Sequence, residues 1–142
     1  MKTSENFRLT GPCGIYCGNC GAYKVKDDES FKESLSHFGW NGVPCPGCRP
    51  VEGKCQFIEG TCATYACAAE HQVDFCYECG DFPCDKLNPA ADKAAILPHN
   101  LKLFNLCCIQ KHGLDKMVEM EPQAKARYFR GKMAIGQGPR LD

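Results

Sequence analysis

Residues 13–21 read CGIYCGNCG, and three further stretches continue in the same manner: CPGCR at 45–49, CATYACAAE at 62–70 and CYECGDFPC at 76–84. Within them Cys17/Cys20, Cys45/Cys48 and Cys76/Cys79 are C-x-x-C pairs. A two-residue spacer lets one tight turn aim both sulfurs at a single ion. The glycines that follow two of the pairs, Gly21 and Gly80, suit a backbone that turns its N–H groups toward thiolates. Arg49 holds that place in the middle pair, where its charge can offset thiolate charge instead. One such pair is a weak sign of metal. Three of them, with Cys13, Cys55, Cys62, Cys67 and Cys84 close by, are a strong one.

Around these motifs the chain has 142 residues, 13 of them cysteine, with 17 Lys+Arg balancing 17 Asp+Glu. That length builds one modest core and leaves no room for a barrel or a large two-layer enzyme. The cysteine content is that of a scaffold held by disulfides or metal. Residues 1–12, MKTSENFRLTGP, lack the apolar run of a secretory signal, and no stretch approaches a membrane span. A cytoplasmic location is therefore expected, where thiols stay reduced and cysteine clusters serve metal or redox chemistry.

The expected fold is small, metal-stabilised and mainly α, with little β. It is a single domain over residues 1–142: an irregular cysteine-rich part at 11–87 with knuckles and short helices, a helical part at 96–130, and a tail at 131–142 that is mobile unless a neighbour holds it. Gly and Pro punctuate almost every cysteine cluster, which favours turns. The spacing of Tyr23, Phe31, Leu35 and Phe38 predicts a helix over 22–38, and further short helices are expected at 65–72 and 85–95, the last interrupted by Pro89. Leu97, Leu101, Phe104 and Cys108 form one apolar stripe, opened by Pro98 and stopped by Gly113. A final helix over 114–130 is expected to be divided at Pro122 and ended by Gly131. Short strand candidates lie at 56–58 and 73–75. Trp40, before Asn41-Gly42, reads as a packing anchor at a turn.

Ten cysteines are the candidate ligands: Cys13, Cys17, Cys20, Cys45, Cys48, Cys62, Cys67, Cys76, Cys79 and Cys84. Four thiolates close a tetrahedral zinc site, so the ten suffice for two ions. The preferred partition joins Cys17/Cys20 with Cys45/Cys48, and Cys76/Cys79 with Cys67 and Cys84; interleaved sets stay open. Cys55 has no assigned partner. Cys107 and Cys108, on the apolar helix without ligand spacing, read as small buried hydrophobes. His71, four residues after Cys67, is a second-choice ligand, and a solvent-facing or core role suits it better. The C-x3-C-x2-C run of Cys13, Cys17 and Cys20 has the spacing of a radical iron–sulfur enzyme. It lacks the aromatic residue before the third cysteine and the barrel such enzymes need. CPGC lacks the strand-to-helix setting of a thioredoxin-type motif, since Arg49-Pro50 opens no helix.

Taken in order, CGIYCGNCGAY, CPGCR, CATYACAAE and FCYECGDFPCDKL resemble a family of cysteine-rich bacterial and archaeal proteins, domain of unknown function 3795. The resemblance covers residues 11–87 and, weakly, the helix that follows. It implies a small prokaryotic cytoplasmic protein that binds zinc through these cysteines, with no reaction assigned.

The functional expectation is a zinc-binding protein whose metals are structural and whose role is binding or regulation. The alternative is an iron–sulfur or thiol redox protein. No residue pair demands an enzyme; Glu78, Glu70 and His71 are the nearest acid or base candidates, and Glu78 reads better as a solvated or ligand-supporting group. Zero net charge argues against a nucleic-acid partner. The one basic and aromatic stretch, KARYFRGK at 125–132, reads as an exposed helix end able to meet a protein partner.

Overall fold

Leu106, Ile109, Leu114 and Met117 are almost fully buried and come from two helices joined at one residue. The computed structural model describes residues 3–141; Met1, Lys2 and Asp142, the ends of the expected domain, lie outside the described residues. Helix α5 (Lys102–His112) stops at Gly113, and α6 (Leu114–Arg130) starts from it. Gly113 has φ 91° and ψ 161°, a conformation that a Cβ disfavours. The two helices therefore turn sharply and face each other.

The apolar stripe is only half correct. Leu101 and Cys108 are buried, whereas Leu97 and Phe104 are exposed. The chain winds as a 3-10 turn at His99–Leu101 before entering α5, and three residues per turn shifts the phase of everything upstream. The inner face of α5 is Asn105, Leu106, Cys108 and Ile109. Cys107 is exposed, against expectation, because adjacent residues on a helix point about 100° apart. Helix α6 also runs unbroken through Pro122. Proline removes one N–H there, and the burial of Leu114, Met117 and Glu121 along one face holds the helix together.

The main core gathers Phe7, Phe75, Leu87, Leu106, Cys108, Ile109, Leu114 and Met117. Phe7 comes from α1 (Glu5–Arg8), whose N-terminus is capped by Ser4 accepting the Phe7 N–H at 3.1 Å. A smaller core holds Ala22, Val25 and Leu35, with Phe31, Trp40 and Cys45 against it. The helix expected over 22–38 is broken into α2 (Gly21–Lys24), a 3-10 turn at Glu29–Phe31, and α3 (Lys32–Ser36). Asp28, extended at φ −141°, accepts the Ser30 N–H and restarts the chain. Trp40 donates its indole N–H to the Val43 carbonyl at 2.9 Å, anchoring the turn.

Helix α4 (Ala63–Glu70) starts two residues before the predicted position. Of the helix expected at 85–95 only the 3-10 turn Asp85–Leu87 forms. Neither strand candidate is a strand: residue 58 turns back to donate to the Cys55 carbonyl, and no segment pairs with 73–75 among the described residues. The sheet lies instead in the tail. There β1 (Lys132–Ala134) pairs antiparallel with β2 (Gly138–Arg140), with Met133 opposite Pro139. No helix of the described residues is long and apolar enough to cross a membrane.

Candidate metal centre

The sequences CGNCG and CYECG fold into the same turn. Cys17–Asn19 and Cys76–Glu78 are 3-10 turns, closed by Cys20 N–H to the Cys17 carbonyl at 3.0 Å and by Cys79 N–H to the Cys76 carbonyl at 3.1 Å. The closing cysteines have nearly identical backbones, φ −77° and ψ 137° at Cys20, φ −76° and ψ 140° at Cys79. Beyond the second turn, Asp81 N–H donates to Cys79 Sγ at 3.4 Å. The same two-residue reach recurs from Ile15 to Cys13, from Gly47 to Cys45 and from Phe57 to Cys55, in each case favouring the thiolate.

In the first region, Cys17 Sγ and Cys48 Sγ lie 3.7 Å apart, although 31 residues separate them in sequence. Their hydrogen bond lowers the Cys17 thiol below its ordinary range and, with burial, pushes the Cys48 thiol well up. Burial raises the Cys45 thiol, and the charges of Cys55, Cys48 and Cys20 raise it further. The structure thus brings Cys17, Cys20, Cys45 and Cys48 into one region and adds Cys55, which no ligand spacing marks in the sequence. Cys13 lies between the two regions: raised by burial, it feels the charges of Cys48 and Cys62, while Cys76 feels that of Cys13; Cys62 also acts on Cys55 of the first region.

Two cations act on this region, Lys102 and the more closely held Arg49. Its Nε donates to the Thr10 carbonyl at 2.7 Å and its Nη2 to the Asp74 carbonyl at 2.5 Å. Its guanidinium carbon stands 3.9 Å and 5.0 Å from the ring centroids of Phe7 and Phe75. From there it favours the Cys48 thiolate electrostatically. The first knuckle is also tied to the far end of the chain. The Asn19 side-chain amide donates to the buried Glu121 carboxylate, and Lys125 Nζ donates to the Asn19 carbonyl at 3.2 Å. Lys125 is therefore not a free member of the basic stretch.

In the second region, Cys67, Cys76, Cys79 and Cys84 line a cavity of about 30 Å³ together with His71, Asp81, Phe82 and Leu87, room for one water or ion. Cys67 comes from α4, Cys76 and Cys79 from the knuckle, and Cys84 from the residue before the turn Asp85–Leu87. Burial, then the charges of Cys13, Cys84, Cys67 and Cys79, push the Cys76 thiol up to about 11. Such mutual repulsion is what a shared cation relieves. Among the described residues, one set of three donor atoms lies within 4.8 Å of one another: those of His71, Cys79 and Asp81. Asp81 carries no sequence signal beyond standing two residues after Cys79; His71 carries the one-turn spacing from Cys67. Glu78 accepts the Phe75 N–H at 2.9 Å and braces the knuckle. Neither Cys107 nor Cys108 lines the cavity.

Residues 9–89 match the family described as protein of unknown function (DUF3795). The chain belongs to this family. The match contains both knuckles, both cysteine regions and Arg49; the DUF3795 portion ends before α5 and α6. No curated protein and no solved structure matches the chain.

Proposed function

We propose that the protein binds two zinc ions, one through Cys17, Cys20, Cys45 and Cys48 and one through Cys67, Cys76, Cys79 and Cys84, and that these ions hold the fold. The observation that carries this reading is the 3.7 Å between Cys17 Sγ and Cys48 Sγ on separate knuckles. Zinc–sulfur bonds of about 2.3 Å at the tetrahedral angle set neighbouring sulfurs about 3.8 Å apart. Backbone N–H groups aimed at Cys45 and Cys79 suit thiolate ligands. Two small cores under loop-rich chain leave the cysteine-rich part in need of such cross-links. Cys13, Cys62 and Cys55 flank the sets as reserve thiols.

A module of this kind serves binding or regulation in the reducing cytoplasm of a prokaryote, with another protein as its partner. Its neutral charge suits neither nucleic acid nor an anionic surface.

Elemental analysis and an ultraviolet–visible spectrum of protein purified without oxygen test the reading. About two zinc per chain and no visible band are expected. Iron with sulfide and a brown colour would replace it with electron transfer or redox sensing.

A further inference from the structure

We propose that His71, Cys79 and Asp81 form an additional, exchangeable site for a divalent ion of the zinc or cobalt class, with its remaining coordination position open to water. The proposal rests on the reading that the cavity beneath binds zinc, and it adds an outer ion that this reading does not contain.

The argument begins with the proton on His71. Its Nδ1 stands 2.8 Å from the Cys67 carbonyl oxygen of its own helix. A carbonyl oxygen has no proton to give, so Nδ1 carries the hydrogen and donates it. In the neutral ring Nε2 is then a bare lone pair. That lone pair faces Asp81 Oδ2 at 3.8 Å, and both lie within 4.8 Å of Cys79 Sγ. An imidazole nitrogen, a carboxylate oxygen and a cysteine sulfur thus converge within 4.8 Å of one another, an arrangement that a cation stabilises as the thiol releases its proton to it. A ring N–H anchored on a backbone carbonyl is also the usual support of a metal-bound histidine, because it fixes the tautomer and aims the other nitrogen.

The donor set defines the ion. One imidazole nitrogen, one thiolate and one carboxylate suit zinc or cobalt, whereas calcium and magnesium require oxygen ligands. Three protein ligands leave a fourth tetrahedral position for water. The site is also on the surface: the His71 and Asp81 side chains are 42% and 82% exposed, so the ion exchanges with solvent. Cys79 belongs to both sets, and a thiolate sulfur has lone pairs enough to bridge an inner and an outer ion.

The test is a titration of the zinc-loaded protein with cobalt(II), followed by its visible absorption, for the wild type and for the variants His71→Ala and Asp81→Asn. Zinc content and far-ultraviolet circular dichroism are measured on the same samples. The expected result is about one cobalt bound per wild-type chain, and tenfold or more weaker binding in each variant, with zinc content unchanged. Cobalt binding that persists in both variants, or is absent from the wild type, overturns the outer site and leaves His71 and Asp81 an ordinary ion pair. Loss of zinc from His71→Ala also overturns it, by making His71 a ligand of the inner ion. Protein isolated without zinc, yet binding cobalt through His71 and Asp81, would sink the structural-zinc reading and keep the site proposed here.

Discussion

The guanidinium carbon of Arg49 lies 3.9 Å from the centroid of the Phe7 ring, so a cation packs directly on the main core while its nitrogens reach the carbonyls of Thr10 and Asp74. Three chain segments meet on this one side chain. Arg49→Lys keeps the charge and loses the planar fork and the stacking. It is expected to destabilise the protein by about 2 kcal/mol, read as a lower urea midpoint with unchanged slope. A loss within a few tenths of a kcal/mol would mean that the fork is dispensable.

Ligand and non-ligand thiols separate by metal content. Cys79→Ser is expected to lower zinc by about one ion per chain and to weaken the fold. Cys107→Ser, on an exposed position of α5, is expected to keep full zinc and full stability. Equal zinc loss from both variants would remove the distinction.

Glu121 is buried on α6 and accepts the Asn19 amide from the first knuckle. Replacement by Ala strands that donor and is expected to cost about 2 kcal/mol. Glu121→Gln retains an acceptor and is expected to recover at least half of the loss in the same denaturation experiment.

The metal-free protein has its own pH dependence. The Cys76 thiol rises in the fold from an ordinary value of 9.0 to about 11, chiefly by burial. Its neutral form therefore stabilises the fold fully below pH 9.0, and that stability is lost as the pH climbs toward about 11, where the unfolded chain ionises and the folded one resists. Urea midpoints of metal-free protein are expected to fall across that window, and Cys76→Ala should flatten the decline. Zinc binding runs the other way, weakening on acidification, because each thiol ligand must release its proton.

The cysteine pattern is more legible in the sequence than the packing is. C-x-x-C spacing is a local property, so CGNCG and CYECG share a visible pattern in the sequence, and the structure turns both the same way. Gly113 and Gly131 marked helix ends for the same local reason. Cys55 was invisible because its neighbours Cys45, Cys48 and Cys20 approach it only through the fold. Leu97 leaves the stripe because a 3-10 turn re-phases the chain upstream of α5, whereas Phe104 sits inside α5 at the edge of the face that buries Asn105, Cys108 and Ile109. Pro122 misled because a lost N–H is a local cost, whereas the burial of Met117 and Leu114 that outweighs it is tertiary.

The contacts of Asn19 with Glu121 and Lys125 also set an order of assembly. A ribosome makes the first knuckle 102 residues ahead of Glu121, so every cysteine of both regions is synthesised before the helix that ties down Asn19. The nascent chain can capture its ions early, on open loops, and the arrival of α6 then acts as a latch. A polypeptide cut short before Glu121 would keep its thiols and lose that latch, and its first ion should leave faster.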